Sequence, residues 1–254
     1  MGPVELAVVI AAVLLGCVLQ RTSGMGTGLV VSPTLVLAIG PVSGVVLTNI
    51  TTMVSATLMT IALRADVDRA RLVRIAPVVI VGSLPAALLV RSAEPGWLEV
   101  IIGAVLLFAL GGTGLVRRAP ELPATPAALA AGVVGGFLNT AVGVAAPAML
   151  VYARVTRWTQ QSFAATLQPV FLTMGTVSLL TKSALGATGT SGLPGWPVIA
   201  LVVATVPLGV LIGGRVARRV SAGAARRIAV IVVSAGAAGT LVRGVAQLIV
   251  PAAG

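Results

Sequence analysis

The chain has 254 residues, of which 57% are hydrophobic and only 9% charged, and its mean hydropathy is +1.10. Soluble globules carry about 25% charged residues, so this composition excludes a soluble domain and defines an integral membrane protein. The net charge of +11 does not point to nucleic acid, because Lys and Arg lie almost entirely between apolar runs, where they set orientation in a bilayer.

The first run, residues 4–20, invites reading as a cleaved leader, and Leu14-Leu15-Gly16-Cys17 resembles a lipoprotein cleavage box. No Lys or Arg precedes it, however, and Glu5 stands where a positive region belongs. It is therefore read as a helix. Further runs follow at 28–39, 42–63, 72–90 and 97–116, and then at 127–138, 142–153, 159–181, 197–214 and 226–249. The expected fold is thus all-α and membrane-embedded, with about ten hydrophobic segments forming eight to ten helices. Residues 1–118 make a first membrane repeat, the short Pro-rich stretch 119–126 a cytoplasmic linker, and residues 127–254 a second repeat. Trp97, Trp158, Trp196 and Tyr152 fall at segment edges, as an interfacial aromatic belt would place them.

If the segments alternate sides, fourteen of the 17 basic residues gather on one face of the membrane, and only Arg91, Lys182 and Arg243 lie on the other. A missed or invented crossing would scramble so lopsided a division. The positive-inside rule makes the fourteen cytoplasmic, so both termini are expected outside, and the plasma membrane is the expected location. Five segments per half is an odd number, so the second half enters from the opposite side and the repeats are inverted, the symmetry of alternating-access carriers. Residue matches support a weak repeat. At a spacing of 118, Thr48 falls on Thr166 and Arg64 on Lys182; at 126, Gly114-Leu115-Val116-Arg117 falls on Thr240-Leu241-Val242-Arg243. Chance matching between Ala-, Val- and Gly-rich stretches is the competing account.

Segments 28–39 and 142–153 have twelve residues each, about 18 Å of helix against a hydrocarbon core of about 30 Å. They are expected to pair with the segments before them as hairpins whose breaks, Ser23-Gly24-Met25-Gly26-Thr27-Gly28 and Asn139-Thr140-Ala141-Val142-Gly143, lie inside the membrane. Whether these hairpins cross fully or are re-entrant is left open. Unwound backbone at that depth must line protein or a polar cavity. Helices starting near Gly28 and Gly143 would aim their positive ends at the break, an anion site that needs no charged side chain. Pro33 and Pro147 follow as helix breakers. Close helix packing at small residues is the alternative, but Ser23, Thr27, Ser32, Asn139 and Thr140 add polar atoms that packing does not require.

Asn and Gln are costly in hydrocarbon unless hydrogen-bonded, so Asn49 and Gln168, with neighbouring Thr48 and Thr166, are expected to face the same cavity. Interhelical hydrogen bonding is the alternative for single Ser and Thr residues. Arg21, beside the first break, either recruits the anion or only orients the chain. No Asp or Glu stands at mid-segment, which argues against a carboxylate proton relay, and export of an anion gains about 2.3 kcal/mol per charge per 100 mV. With no His and the single thiol of Cys17, a His/Cys metal site, a disulfide and the usual catalytic constellations are excluded. No cofactor is expected. The partners are a small anionic substrate and the lipid bilayer; homo-oligomerisation, the coupling ion and the direction of transport are not read from the sequence.

At these breaks the chain resembles the sulfite exporter TauE/SafE family of membrane permeases. The family's glycine-rich run followed by Pro corresponds to Gly26-Thr27-Gly28 and Pro33, and its second signature, ending in Tyr, to Gly143-Val144-Ala145-Ala146-Pro147 and Tyr152. Thr27, Ala145 and Ala146 stand where that pattern has glycine. The resemblance implies a carrier of small sulfur-containing anions such as sulfite or sulfonates. An assembly subunit of a larger membrane complex and an anion channel are the competing readings.

Overall fold

A computed structural model describes residues 2–23, 27–112, 120–189, 193, 195–216 and 222–249. Among these the secondary structure is helical throughout, without strands: α1 (Pro3–Ser23), α2 (Thr27–Ile39), α3 (Pro41–Leu63), a 3-10 turn (Arg64–Asp66), α4 (Arg69–Ile75), α5 (Val79–Ser92), α6 (Pro95–Gly112), α7 (Ala124–Val142), α8 (Ala146–Val155), α9 (Gln160–Ala184), α10 (Trp196–Val216) and α11 (Ala222–Ile249). Proline opens several of them, at Pro3, Pro41, Pro95 and Pro147, where its missing N–H costs nothing and its fixed φ suits the first turn. Asp68 caps α4, its carboxylate accepting from the Arg71 N–H at 3.0 Å.

Among the described residues six helices are long and apolar enough to cross a membrane: α1, α3, α7, α9, α10 and α11. A seventh span arises if α4 and α5, bent by 41° at their junction, count as one. The expected single run 72–90 is thus interrupted, with Pro77 in the break. Three shorter apolar helices remain, α2, α8 and α6. The first two are the segments whose brevity marked them as unable to cross unaided.

The windows of α3 and α9 are 56% buried, whereas those of α10 and α11 are 28% and 22% buried. The two polar helices therefore form the centre, packed on each other, and the last two lie at the lipid-facing periphery. Around that axis α1 packs on α10 and α5 on α7, α1 on α2 and α7 on α8, α3 on α10 and α9 on α5, and α6 on α11. Lipid tails are as apolar as Leu, so close packing and internal hydrogen bonds hold such helices together.

Much of the hydroxyl content of α3 and α9 turns inward on its own helix. Thr48, Thr57 and Thr60 donate to the carbonyls of Gly44, Met53 and Ala56, and Thr173 and Thr176 to those of Pro169 and Leu172. Each is satisfied four residues back without any partner helix. The aromatic residues also divide. Trp97 and Trp196 are exposed, as a belt requires, but Tyr152 is buried and stacks edge-on with Trp158, which stacks likewise on Phe163. The Arg71 guanidinium lies over Trp158 at 4.6 Å from the ring centroid and donates to the Tyr152 hydroxyl. These rings anchor the end of α8.

Candidate functional site

The start of α2 meets the break between α7 and α8. Helix α7 runs through Asn139 and Thr140 to Val142 and ends on Gly143, whose φ of 79° closes it in a left-handed cap. Such a cap favours glycine, since a Cβ is strained there. After Val144 and Ala145, α8 begins with Pro147 in its first turn. Asn139 and Thr140 therefore stand on the last turn of a helix and not in an unwound loop, and the second break covers residues 143–145 in place of 139–143. On the first side, Gly24 and Gly26 lie outside the described residues, as does the side chain of Ser23, while Thr27 and Gly28 open α2. A Cβ on Gly28 would come within 2.7 Å of the Gly143 carbonyl oxygen. The backbones approach at that point because Gly28 carries no side chain; a Cβ on Gly143 would instead meet Ser32 and Thr48.

Beside this contact is a cavity of about 20 Å³, enough for roughly one water molecule. Its wall includes the first turn of α2, at Thr27, Gly28 and Leu29, and the start of α8, at Ala145 and Ala146. The opening N–H groups of a helix have no partner within it, and each helix start carries about half a positive charge. Gln20, Thr52, Asn139 and Phe171 complete the lining with Gly143 and Val144, so no ionised side chain takes part. Thr52 is 7% exposed and its hydroxyl has no partner, which leaves a buried donor at the cavity edge.

Two amide networks support the wall from behind. Gln20 donates to the Gln168 side-chain oxygen at 2.6 Å, while its own oxygen accepts from Ser55 at 2.8 Å and from Thr27. Gln168 donates to the Ala164 carbonyl at 2.8 Å. On the other flank Asn139 donates to the Asn49 oxygen at 3.1 Å, and Asn49 donates to Ser178 at 2.8 Å. Ser32 of α2 donates to the Val142 carbonyl at 2.5 Å. These last three contacts, like that between Gln20 and Gln168, each join residues from opposite halves of the chain.

Thr27, Gly28, Asn139 and Gly143 line the cavity, and Asn49 and Gln168 stand directly behind it, each holding a lining amide. Thr48 abuts Gly143 through its methyl group, 3.4 Å from where a Cβ would lie, but spends its hydroxyl on Gly44. Thr140 is fully buried with its hydroxyl unpaired and does not line the cavity. Thr166 lies elsewhere, accepting from the Asp68 N–H at 2.8 Å to tie α9 to the loop before α4. Arg21 is half-buried, and its guanidinium reaches the Met59 sulfur at 3.6 Å. Pro33 does not break a helix: it lies inside α2, which runs on to Ile39, and packs towards α11, 3.0 Å from where a Gly236 Cβ would lie, while Pro147 stands in the first turn of α8. Gln20 and Thr52 are the polar lining residues that sequence reasoning passed over. Gln20 neighbours Arg21 at a segment edge and reads as interfacial, while Thr52 is one of several hydroxyls in its helix.

An all-helical chain with several spans and two short broken helices meeting at a polar centre is a multi-pass membrane protein of transporter type. A family model described as sulfite exporter TauE/SafE matches residues 8–240, nearly the whole chain. The chain belongs to the sulfite exporter TauE/SafE family of membrane transporters. No curated protein and no solved structure matches it significantly.

Proposed function

We propose that the protein is a plasma-membrane permease moving a small anion, sulfite or an organosulfonate, by alternating access between two inverted five-segment repeats. The observation carrying this reading is the cavity lined by both helix starts, with the side-chain amides of Gln20 and Asn139 and without any carboxylate. Positive helix ends at membrane depth attract an anionic group, as in transporters built from discontinuous helices.

The packing supports inverted repeats. Exchanging α1 with α7, α2 with α8, α3 with α9, α4–α5 with α10 and α6 with α11 turns most major contacts into one another and returns α3–α9 and α6–α11 to themselves. The contacts of α2 with α3 and with α11 have no equally extensive counterparts between α8 and α9 or between α8 and α6. Basic loops then face the cytoplasm and both termini the outside. Convergence of Asn49 and Gln168 on one centre favours a carrier over an assembly subunit, whose polar residues would face partners outside the bundle.

The test is flux in reconstituted vesicles across sulfite, methanesulfonate, thiosulfate and acetate, with Asn49→Leu and Gln168→Leu as variants. Saturable flux of one or more sulfur anions is expected. Each substitution should cut it by about tenfold or more, since removing a buried hydrogen-bond partner costs about 1–3 kcal/mol. Unchanged flux in both variants, with normal insertion, overturns the site. Flux that does not saturate favours a channel.

A further inference from the structure

Lys182 stands two residues before the end of α9. A lysine so close to a helix end in a bilayer ordinarily lays its methylenes along the protein and places its ammonium among the headgroups. Lys182 does not: the residue is 0% exposed, and its Nζ has no hydrogen-bond partner. Nor is a carboxylate committed to it. Glu99 binds Arg243 and Asp68 binds Arg71, Asp66 accepts from Gln161 and Glu5 from the Gly2 N–H, while Glu94 and Glu121 are exposed. An ammonium buried with empty donors is expensive unless something negative joins it.

Its place on α9 links it to the centre. Phe171, Gly175, Ser178 and Lys182 follow at intervals of four, three and four residues, which is one helix face. Phe171 lines the cavity. A Cβ on Gly175 would lie 3.6 Å from the Asn49 carbonyl oxygen, and Ser178 accepts from the Asn49 amide. This stripe runs along the α3–α9 interface for about 16 Å at 1.5 Å per residue. Helical side chains lean towards the helix N-terminus, which directs a lysine at 182 back along the stripe towards the cavity. Arg64, which the repeat spacing matches to Lys182, is exposed, so the two halves differ here.

We propose that Lys182 forms a second, outward-side station for the transported anion. A small sulfur oxyanion leaving the cavity along the α3–α9 face is held by the ammonium before it is released outside. This rests on the carrier reading above, and adds a charged site to one end of the path only.

The test uses full-length protein carrying Lys182→Met, with Lys182→Gln as a second neutral variant should the first fail to insert, and Lys182→Arg. Sulfite and methanesulfonate are the probes, applied to right-side-out and inside-out vesicles and, separately, to purified protein followed by thermal melting. The neutral variants should raise the half-saturating concentration on the outside by about tenfold or more and leave that on the inside within about twofold, with Lys182→Arg closer to wild type. In anion-free buffer the neutral variants should melt higher than wild type, having lost an uncompensated charge, and gain less from added sulfite. A purely structural lysine would instead lower melting and leave the sulfite increment intact. Outside half-saturation unchanged from a wild type with normal flux overturns the station and leaves the carrier standing. If the wild type shows no saturable flux, the carrier reading fails and melting decides the station: a sulfite increment lost with Lys182 upholds an anion site there, and an increment absent or unaltered removes it.

Discussion

Gly28 and Gly143 do different work at one contact. Gly143 supplies a backbone conformation that an L side chain resists, whereas Gly28 supplies only space, its missing Cβ leaving room for the opposite carbonyl at 2.7 Å. Gly28→Ala is therefore expected to push the two halves apart by the few tenths of an ångström to an ångström that a normal contact needs. Saturable flux should fall by about tenfold or more while membrane insertion persists, because overpacking costs about 1–3 kcal/mol. Vesicle flux set against the detergent-solubilised yield checks this, and wild-type flux in the alanine variant would show the contact to be slack. At this scale the sequence revealed amides more reliably than hydroxyls. Asn49, Asn139 and Gln168 are conspicuous in apolar runs because an amide cannot satisfy itself easily on a helix. Thr48 and Thr166 looked equivalent by spacing, yet one bonds its own helix and the other a distant loop, choices that only tertiary packing makes.

Among the helices, the short ones are pinned at their far ends by arginine. Arg243 of α11 donates to the Val36 and Leu37 carbonyls of α2, at 2.6 and 2.5 Å, and binds Glu99 of α6 at 2.6 Å. Arg71 of α4, held by Asp68 at 3.1 Å, donates to Tyr152 and Thr156 at the end of α8. Positive charge at a helix C-terminus is favourable, offsetting the dipole and satisfying its last carbonyls. Glu99 is 1% exposed, so Arg243→Met would leave its carboxylate buried and alone. A destabilisation of about 3–5 kcal/mol is expected for such a broken pair. Removing both charges, as Glu99→Gln with Arg243→Met, should recover much of that loss, measured by thermal melting in detergent; an additive double variant would mean that the pair contributes little. The sequence placed Glu99 near a segment end and Arg243 among outward charges, and 144 residues of separation hid their pairing. The lengths of α2 and α8, by contrast, were legible from the spacing of breakers alone.

For the whole molecule, the proposed inverted topology puts Ala65 on the cytoplasmic side and Ala93 outside. With Cys17 changed to Ala, single cysteines introduced at Ala65 and at Ala93 should label from opposite sides. An impermeant thiol reagent added to intact cells is expected to modify position 93 and spare position 65 until the membrane is opened. Labelling of both from outside would dismantle the proposed crossing pattern. Composition was enough to establish a membrane protein, and the glycine and proline breaks were enough to suggest the family. The bend between α4 and α5 was not legible, because a proline inside an apolar run is tolerated by some membrane helices and splits others.

Room for roughly one water between the helix starts has a kinetic corollary. If the solute is a sulfur oxyanion, as proposed, it is bulkier than that space, and the geometry described must dilate before it can be loaded. Whatever fraction of molecules is already dilated scales the observed affinity, which is weaker than the affinity of the dilated form by that same fraction. Substitutions that loosen the junction without removing its amides would then bind solute more tightly than the parent does, while closing less completely around it.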